Sequence, residues 1–282
     1  MRAALLMMTL LLGCGAGPGS IDSAGKVKVV LVAGAPSHGP GEHEYTAGVL
    51  LLARMLEQRG DVAATVVRGG WPTNVATFDD ARSIVYFSDG NLGHPLVQGD
   101  RLERMADILV RGAGFVCLHF AVHFPDATAD RILPLLGGYY SDATSINPVW
   151  LADFADLPAH PANRGVAPFQ LTDEWYFNIR FSPESARLAT VLHAVPPDVA
   201  RLTADAARYP GRSETVAWAF ERAGGGRSFG FTGGHVHRNW GEAPFRRVVL
   251  DAILWTAGVE VPAGGADAAF DPAWLQENLD PK

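Results

Sequence analysis

The sequence predicts an α/β protein built on a doubly wound parallel sheet. Residues 26–33 read KVKVVLVA, a continuous apolar run that is typical of a strand buried on both faces. Residues 46–60 follow with the apolar pattern of a helix and end at a glycine, a common helix stop signal. Because strand-like and helix-like segments continue to alternate after this point, we expect helices on both faces of one parallel sheet.

The later elements follow from their own patterns. The segment 99–114 carries apolar residues at helical spacing, with arginine and aspartate on the opposite face. In chain order, the further predicted elements are strands at 62–68 and 83–89, the helix at 99–114, a strand at 114–120, a hairpin of 214–222 with 228–235, and a closing helix at 242–258. From Leu133 to about Pro210 the sequence is irregular, so we expect long loops with some antiparallel strands there.

The composition is that of a soluble globular protein with one large domain. The 282 residues are 48% hydrophobic and 19% charged, with a formal net charge of −7. This acidic balance gives no support to nucleic-acid binding, which would require a basic stripe. The sequence shows no internal repeat and no long run of like charges, so we expect neither a solenoid nor a disordered chain.

Residues 1–14 resemble a bacterial signal peptide with a lipobox. The apolar run at 3–12 follows an arginine, fits the core of an export signal and is too short to span a bilayer. The lipobox-like LLGC at 11–14 predicts a lipid on Cys14 as the only membrane anchor, while a plain signal peptide or a misassigned start is the alternative. We therefore expect an exported protein of the periplasm or cell envelope.

The remainder of the chain divides into three parts. We place a flexible linker at 15–25, the α/β domain at 26–262 and a loosely packed C-terminal tail at 263–282. If Cys14 carries lipid, Cys117 is the only remaining thiol and no disulfide can form within the chain. Such an exported protein must rely on its core, and a chain of this length can bury a large one.

Histidines are concentrated at the ends of predicted strands. In open α/β sheets, ligands bind outside the carboxyl ends of the strands. Six of the nine histidines follow such ends, namely His38 and His43 after the first strand, His119 and His123 after the fourth, and His235 and His237 after the last. This grouping predicts a functional site at that edge of the sheet.

The segment GAGFVCLHFAVHFP, residues 112–125, contains both a cysteine and a histidine that could carry the chemistry. A nucleophile elbow requires small residues two positions before and after the nucleophile, but Cys117 has Phe115 and His119 there. We therefore expect Cys117 to be a buried core residue. On an extended strand, His119 points to the same side as Cys117 and emerges at the carboxyl edge, where it can act as acid or base or bind a metal.

The motif GGHVHRNW offers a candidate metal site. His235 and His237 lie two residues apart, so on an extended segment both imidazoles face one side. Such a pair can bind a divalent metal such as Zn²⁺ if His119 or His38 supplies a third ligand. Direct contact of these histidines with a substrate is the alternative.

The motif TDEWY, residues 172–176, places two carboxylates beside two aromatic rings. Aromatic faces and carboxylates are the groups that commonly hold sugars, through ring stacking and through hydrogen bonds from sugar hydroxyls. We expect Glu174 to be an acid, a base or a hydroxyl ligand, and Asp173 to be mainly structural. The Gly/Pro loop SHGPGEHEY at 37–45 supplies further ligands or a rigid pocket rim, and it matches no dinucleotide or P-loop spacing.

Four stretches of the sequence match motifs of a known family. They are VLVAGAPSHGPGEHEYTAG, FVCLHFAV, HPANRGVAPFQLTDEWYFNIRF and GRSFGFTGGHVHRNWGEAPFRRVVLDAILWTAGVEVP. These stretches resemble the ThuA-like (trehalose-utilisation) family, especially its exported members in planctomycetes and related bacteria. The resemblance covers about 26–262 and implies a flavodoxin-like core akin to class I glutamine amidotransferases. It also implies a role in the metabolism of trehalose and of oxidised (keto) disaccharides.

The sequence also departs from this family. His123 stands where relatives often carry a glutamate. Relatives also often have additional histidines in the region that here contains Ala143, Thr144 and Val149. If those positions bind substrate or metal, the resemblance implies an altered specificity or a weakened activity for this chain.

Together these observations predict a carbohydrate-active protein that uses acid/base or metal-assisted chemistry on a sugar or (keto)glycoside such as a trehalose derivative. The predicted catalytic residues are His119, Glu174 and His235. The predicted substrate-binding residues are His38, Glu42, His43, Asp173, Tyr176, His237 and Trp240. A non-catalytic sugar-binding module is one alternative, and a cysteine hydrolase that uses Cys117 and His235 is another.

Overall fold

The computed structural model describes residues 25–197 and 211–282. The predicted signal peptide at 1–14, the predicted lipid site Cys14 and nearly all of the predicted linker at 15–25 lie outside these ranges. Among the described helices, none has both the length and the apolar character that crossing a membrane requires.

The fold is an α/β arrangement around one large sheet. Within the described ranges the strands are β1 (Val27–Ala33), β2 (Val62–Val67), β3 (Ser83–Phe87), β4 (Gly114–Leu118), β5 (Gly138–Tyr139), β6 (Trp150–Phe154), β7 (Phe169–Asp173), β8 (Arg180–Phe181), β9 (Leu188–Ala194), β10 (Glu214–Glu221) and β11 (Arg227–Phe231). The α-helices there are α1 (Tyr45–Glu57), α2 (Arg101–Val110), α3 (Ala129–Leu136) and α4 (Ala243–Thr256).

The large sheet has seven strands in the order β2-β1-β3-β4-β11-β10-β9. Its first five strands in this order are parallel, and β10 and β9 extend it in antiparallel fashion. With β11 counted as the fifth parallel strand, the order becomes 2-1-3-4-5, which is that of flavodoxin-like folds. The predicted doubly wound, flavodoxin-like sheet is confirmed. The predicted hairpin corresponds to the antiparallel pair β10 and β11.

Apolar side chains fill both faces of this sheet. Helices α1 and α4 pack on one face, and α2 and α3 pack on the other. On β4, Leu118 packs on the face that carries α1 and α4, and Cys117 packs on the face that carries α2 and α3, as the alternation of side chains along a strand requires. Cys117 is fully buried, so its predicted role as a core residue is confirmed.

The irregular region contains more structure than its sequence pattern predicts. The sequence pattern does not predict helix α3, because the helix is short and contains Pro134, which interrupts the usual helical pattern. Two small antiparallel ribbons follow, β5 with β8 and β6 with β7. The sequence predicts a loosely packed tail at 263–282, but Ala266, Ala268 and Asp280 are buried.

Candidate functional site

Four side chains from distant parts of the chain meet at the carboxyl edge of the sheet. They are His43 on the loop between β1 and α1, His119 after β4, Glu174 after β7 and His235 after β11. The β1/β3 position is the point at which strand order reverses, where open α/β sheets bind their ligands. The fold therefore brings together the three predicted catalytic residues and one predicted substrate-binding histidine.

The four side chains are close enough to share one small ligand. His43 Nε2 lies 3.0 Å from His119 Nε2 and 2.8 Å from His235 Nδ1. Glu174 Oε2 lies 3.5 Å from His119 Nε2 and 3.4 Å from His235 Nδ1. One nitrogen or oxygen atom from each residue lies within 4.8 Å of the others. We call these four residues the His/Glu cluster.

His119 occupies the sharp turn at which β4 ends. The strand stops at Leu118, and His119 has a φ of 53° and begins a short 3-10 turn. The expected extended geometry, with His119 on the same side as Cys117, is therefore not observed. A left-handed backbone at a strand-to-helix turn is strained for a residue other than glycine, and such strain is concentrated at functional sites. The elbow-like position belongs to His119 rather than to Cys117.

Hydrogen bonds fix the ring orientation of two cluster histidines. His119 Nδ1 lies 2.7 Å from the carbonyl oxygen of Thr232, which can only accept, so Nδ1 carries the proton. His43 Nδ1 lies 2.6 Å from the Tyr45 hydroxyl, which donates at 2.8 Å to Asp89. Tyr45 therefore accepts from His43 Nδ1. In consequence the Nε2 atoms of both histidines are unprotonated and point their lone pairs into the His/Glu cluster.

Burial sets the charge of the His/Glu cluster. It lowers the pKa of His43 to about 4 and that of His119 well below its usual value, and it also lowers the pKa of His235. Burial raises the pKa of Glu174 to about 7. Near neutral pH the three imidazoles are thus neutral, and the carboxyl group can both hold and release a proton.

Asp173 has a structural role that joins two parts of the site. Its fully buried carboxylate accepts from the backbone N–H of Glu174 at 2.7 Å, of Gly234 at 3.1 Å and of His235 at 3.0 Å. Asn239 Nδ2 donates a fourth hydrogen bond at 2.8 Å. Burial raises the pKa of Asp173, and these N–H donors oppose the rise. The Asp173 carboxylate therefore fixes the positions of Glu174 and His235 relative to each other.

Two other predicted substrate-binding residues border the His/Glu cluster on its open side. The exposed ring of His38 stacks on that of His43, with 3.6 Å between the centroids. Glu42 is half exposed, and its Oε1 lies 3.6 Å from His235 Nε2. Tyr176 is buried instead, and its hydroxyl lies 3.2 Å from His119 Nε2.

Three sequence candidates lie away from the His/Glu cluster. His237 is buried, and its Nε2 lies 3.2 Å from the carbonyl oxygen of Leu275, so His235 is not paired with it in one ligand set. Trp240 is fully buried and packs on aromatic rings of the core, which leaves no face for a sugar. Cys117 is buried in the sheet, and burial raises the pKa of its thiol, which opposes a role as nucleophile.

Sequence patterns did not point to several residues that complete the site. Tyr45 and Asp89 orient His43, and Asn147 Nδ2 donates to Glu174 Oε1 at 2.9 Å. Asp89 is the last residue of the predicted third strand, and that position is the signal available for it. Tyr45 and Asn147 have no such signal, because their roles depend on contacts between segments far apart in sequence.

Comparison with known proteins places the chain in a family. A family model described as ThuA, trehalose utilisation, matches residues 28–256. The chain belongs to the ThuA family. The match includes all four residues of the His/Glu cluster and ends before the tail. No curated protein matches the chain.

Solved structures of ThuA-like proteins share this fold. One from Parabacteroides merdae is 15% identical, with a TM-score of 0.57, and the alignment covers 84% of this chain and 92% of that chain. Another from Bacteroides uniformis is 13% identical, with a TM-score of 0.59, and covers 86% and 95%. PurLQS from Thermotoga maritima aligns at 13% identity and a TM-score of 0.45 over 81% and 98%.

His123, one of the residues that depart from the expected ThuA pattern, lies beside the site rather than in the His/Glu cluster. His123 Nε2 is 2.9 Å from Asp142 Oδ1, and Asn91 donates to the second oxygen of that carboxylate at 2.9 Å. The His123 ring contacts Tyr140, with 4.4 Å between the centroids. The four cluster residues are therefore assembled in this ThuA-family chain without a contribution from His123.

Proposed function

We propose that the His/Glu cluster is the active site of a metal-assisted, carbohydrate-active enzyme. The observation that carries this proposal is the convergence of His43, His119, His235 and Glu174 at the sheet edge where such folds bind ligands. The ThuA family description, trehalose utilisation, supports a sugar or (keto)glycoside as the substrate.

The donor set fits a divalent cation such as Zn²⁺. Two lone pairs, on His43 Nε2 and His119 Nε2, face each other at 3.0 Å and cannot hydrogen-bond to one another. A positive charge between them would remove this repulsion. Tetrahedral zinc with three histidine ligands places the nitrogens about 3.3 Å apart, so the rings need only a small outward shift. The hydrogen bonds from Nδ1 to Thr232 and Tyr45 are of the kind that orients metal-binding histidines.

The protein's own groups divide the chemistry between them. His43, His119 and His235 would hold the ion, which would polarise a hydroxyl or carbonyl oxygen of the sugar. Glu174, with a pKa of about 7, would take up or deliver a proton at the substrate. Tyr176 would hold the Glu174 carboxylate in place by donating its single hydroxyl proton to it. These roles suit proton abstraction, hydration or hydrolysis of a (keto)glycoside.

Metal content and turnover of the purified protein test this proposal. We expect about one zinc per chain after zinc loading, and turnover of trehalose or a 3-keto-disaccharide. Glu174→Gln should keep the three histidines and lower turnover at least about 100-fold, since it removes the acid/base group. The matched control is Glu103→Gln, because Glu103, on α2, is an exposed carboxylate paired with Arg131 of α3.

Other outcomes would favour other functions. Sugar binding without turnover would support the non-catalytic sugar-binding module. Turnover that survives removal of metal but is lost on alkylation of Cys117 would support the cysteine hydrolase. If the protein neither binds zinc nor contacts sugar, the proposal is wrong.

A further inference from the structure

We propose that residues 271–282 form a strap that positions the loop carrying His43 and thereby sets the cation affinity of the His/Glu cluster. The inference rests on the proposed function of that cluster. The matched family region ends at residue 256, so the strap is a feature of this chain outside that region.

The strap binds the loop between β1 and α1 through the ammonium group of Lys282. Lys282 Nζ donates to the carbonyl oxygens of Ser37, of Glu42 at 3.0 Å and of His43 at 3.3 Å. A lysine ammonium has three N–H donors, and the geometry directs all three at this loop. The contacts lie at both ends of the segment that carries His38, Glu42 and His43, so they close it into a fixed shape.

A buried pair of carboxylates makes the second attachment. Glu44 is 2% exposed and accepts from the loop N–H of Gly41 at 2.8 Å and from the strap N–H of Asp280 at 2.6 Å. Asp280 in turn accepts from the N–H of Thr46, in the first turn of α1, at 3.2 Å. Loop, strap and helix start are therefore joined by charge-assisted hydrogen bonds, which are the stronger kind.

The loop requires such external attachment because its backbone is strained. His38 has a φ of 62° and His43 a φ of 45°, both in the left-handed region that residues other than glycine seldom adopt. Each such residue costs on the order of 1–3 kcal/mol, and it persists only where the surroundings hold it. Without the strap, we expect the loop to relax and His43 Nε2 to leave the His/Glu cluster.

The strap also holds the segment that follows β11. The carbonyl oxygen of Leu275, in the strap, lies 3.2 Å from His237 Nε2, and the His237 backbone N–H donates to Gly41 at 2.9 Å. The strap is fastened to α1 by an ion pair of 2.7 Å between Arg54 and Glu277. The buried His237 is thus explained as an anchor for the strap.

Replacing Lys282 with methionine in the full chain tests the proposal. Lys282→Met keeps the aliphatic stem but removes all three donors. We expect zinc affinity to fall about tenfold, the size typical of groups that orient metal ligands. Amide hydrogen exchange in a peptide covering 34–46 should become faster, while exchange in the central strands should not change. Lys28→Met is the matched control, because Lys28 Nζ also donates to a backbone carbonyl, that of Asp79, at 2.9 Å.

The two readouts separate failure of the strap from failure of the proposed function. If the wild-type protein binds no zinc, the proposed function fails, while hydrogen exchange still decides whether the strap fixes the loop. If Lys282→Met matches Lys28→Met in both zinc affinity and exchange, the strap proposal is overturned. A uniform loss of protection across the whole domain would also overturn it, since that result indicates a general structural role.

Discussion

His94 and His119 are both fully buried histidines, yet they occupy two very different regions of the molecule. His94 packs inside the domain, where its Nδ1 accepts from Leu96 N–H at 3.0 Å and its Nε2 lies 3.1 Å from the carbonyl oxygen of Ala121. His119 satisfies only Nδ1 in this way, and its Nε2 faces the His/Glu cluster. Burial lowers the pKa of both, to about 3 for His94. A buried, neutral histidine therefore does not by itself mark a site; converging lone pairs do.

The carboxyl groups repeat this contrast. Burial raises the pKa of both Glu174 and Asp251 to about 7. Asp251 lies in α4, and one of its oxygens accepts the N–H of Ala266 at 2.6 Å, which ties the tail to the helix. Glu174 instead faces His119 and His235. The same shift in pKa accompanies a structural role in one region and a candidate catalytic role in the other.

The largest expected effect comes from exchanging the two histidines in this comparison for alanine. His119→Ala removes a ligand and should lower zinc affinity by more than about 100-fold, beyond the loss typical of outer groups. His94→Ala should leave zinc affinity intact and lower the free energy of unfolding by about 2–4 kcal/mol, since it leaves a cavity and an uncapped turn. Isothermal titration with zinc and urea denaturation measure the two quantities. Equal loss of zinc affinity in both variants would break the comparison.

Local patterns in the sequence predict the sheet and the edge where the site lies, but they do not separate all the side chains that face the site from those that do not. The alternation of apolar runs with helical patterns predicts the sheet correctly, because these signals are local. Strand ends predict that His43, His119 and His235 lie at one edge, since parallel strands align their carboxyl ends. The sequence could not separate His235 from His237, because only the fold shows that His237 faces Leu275. Likewise, the sequence predicts Trp240 as a substrate-binding residue, but its side chain is fully buried in the core.

The positions that escape sequence interpretation depend on long-range contacts. Glu174 faces the histidines and Asp173 is structural, as the sequence predicts, but the backbone N–H groups of Gly234 and His235 that hold Asp173 lie far along the chain. Lys282 meets its partners across more than two hundred residues of chain. Hydrophobic periodicity carries no information about such a contact, which is why the sequence predicts a loosely packed tail at 263–282.

Asp251 is a buried carboxyl group outside the site, and its proton should make stability depend on pH. Because its folded pKa of about 7 lies above the unfolded value of 3.8, the folded state binds the proton more tightly. Its contribution to stability is complete below the unfolded pKa and is lost as the pH rises through the folded pKa. From about pH 5 to about pH 7, wild type should lose about 2 kcal/mol relative to Asp251→Asn.

Urea denaturation of both proteins across this range measures the difference in free energy of unfolding. Zinc affinity at neutral pH should be the same in the two proteins, since Asp251 contacts the tail near Ala266 rather than the His/Glu cluster. Parallel stability curves for wild type and Asp251→Asn would show that this carboxyl does not titrate as expected.

The smallest effect concerns two buried tyrosines, one in each region. The Tyr45 hydroxyl accepts from His43 Nδ1 and donates to Asp89, whereas the Tyr86 hydroxyl has no hydrogen-bond partner among the described residues. Tyr45→Phe leaves the His43 ring free to carry its proton on Nε2, which would block that lone pair. Zinc affinity should fall about tenfold. Tyr86→Phe removes the same atom from the interior and should leave zinc affinity unchanged and stability equal or slightly higher, because a buried unpaired hydroxyl is costly.

The pair of variants isolates the hydrogen bonds from the loss of a hydroxyl as such. Both tyrosines are fully buried, so the change in volume is the same and neither ring gains exposure. A proton resonance on His43 Nδ1, observed by NMR in wild type and lost in Tyr45→Phe, would report the tautomer directly. If both variants bind zinc as wild type does, the link from Asp89 through Tyr45 does not orient His43. The two unprotonated Nε2 atoms in the His/Glu cluster would then need another explanation.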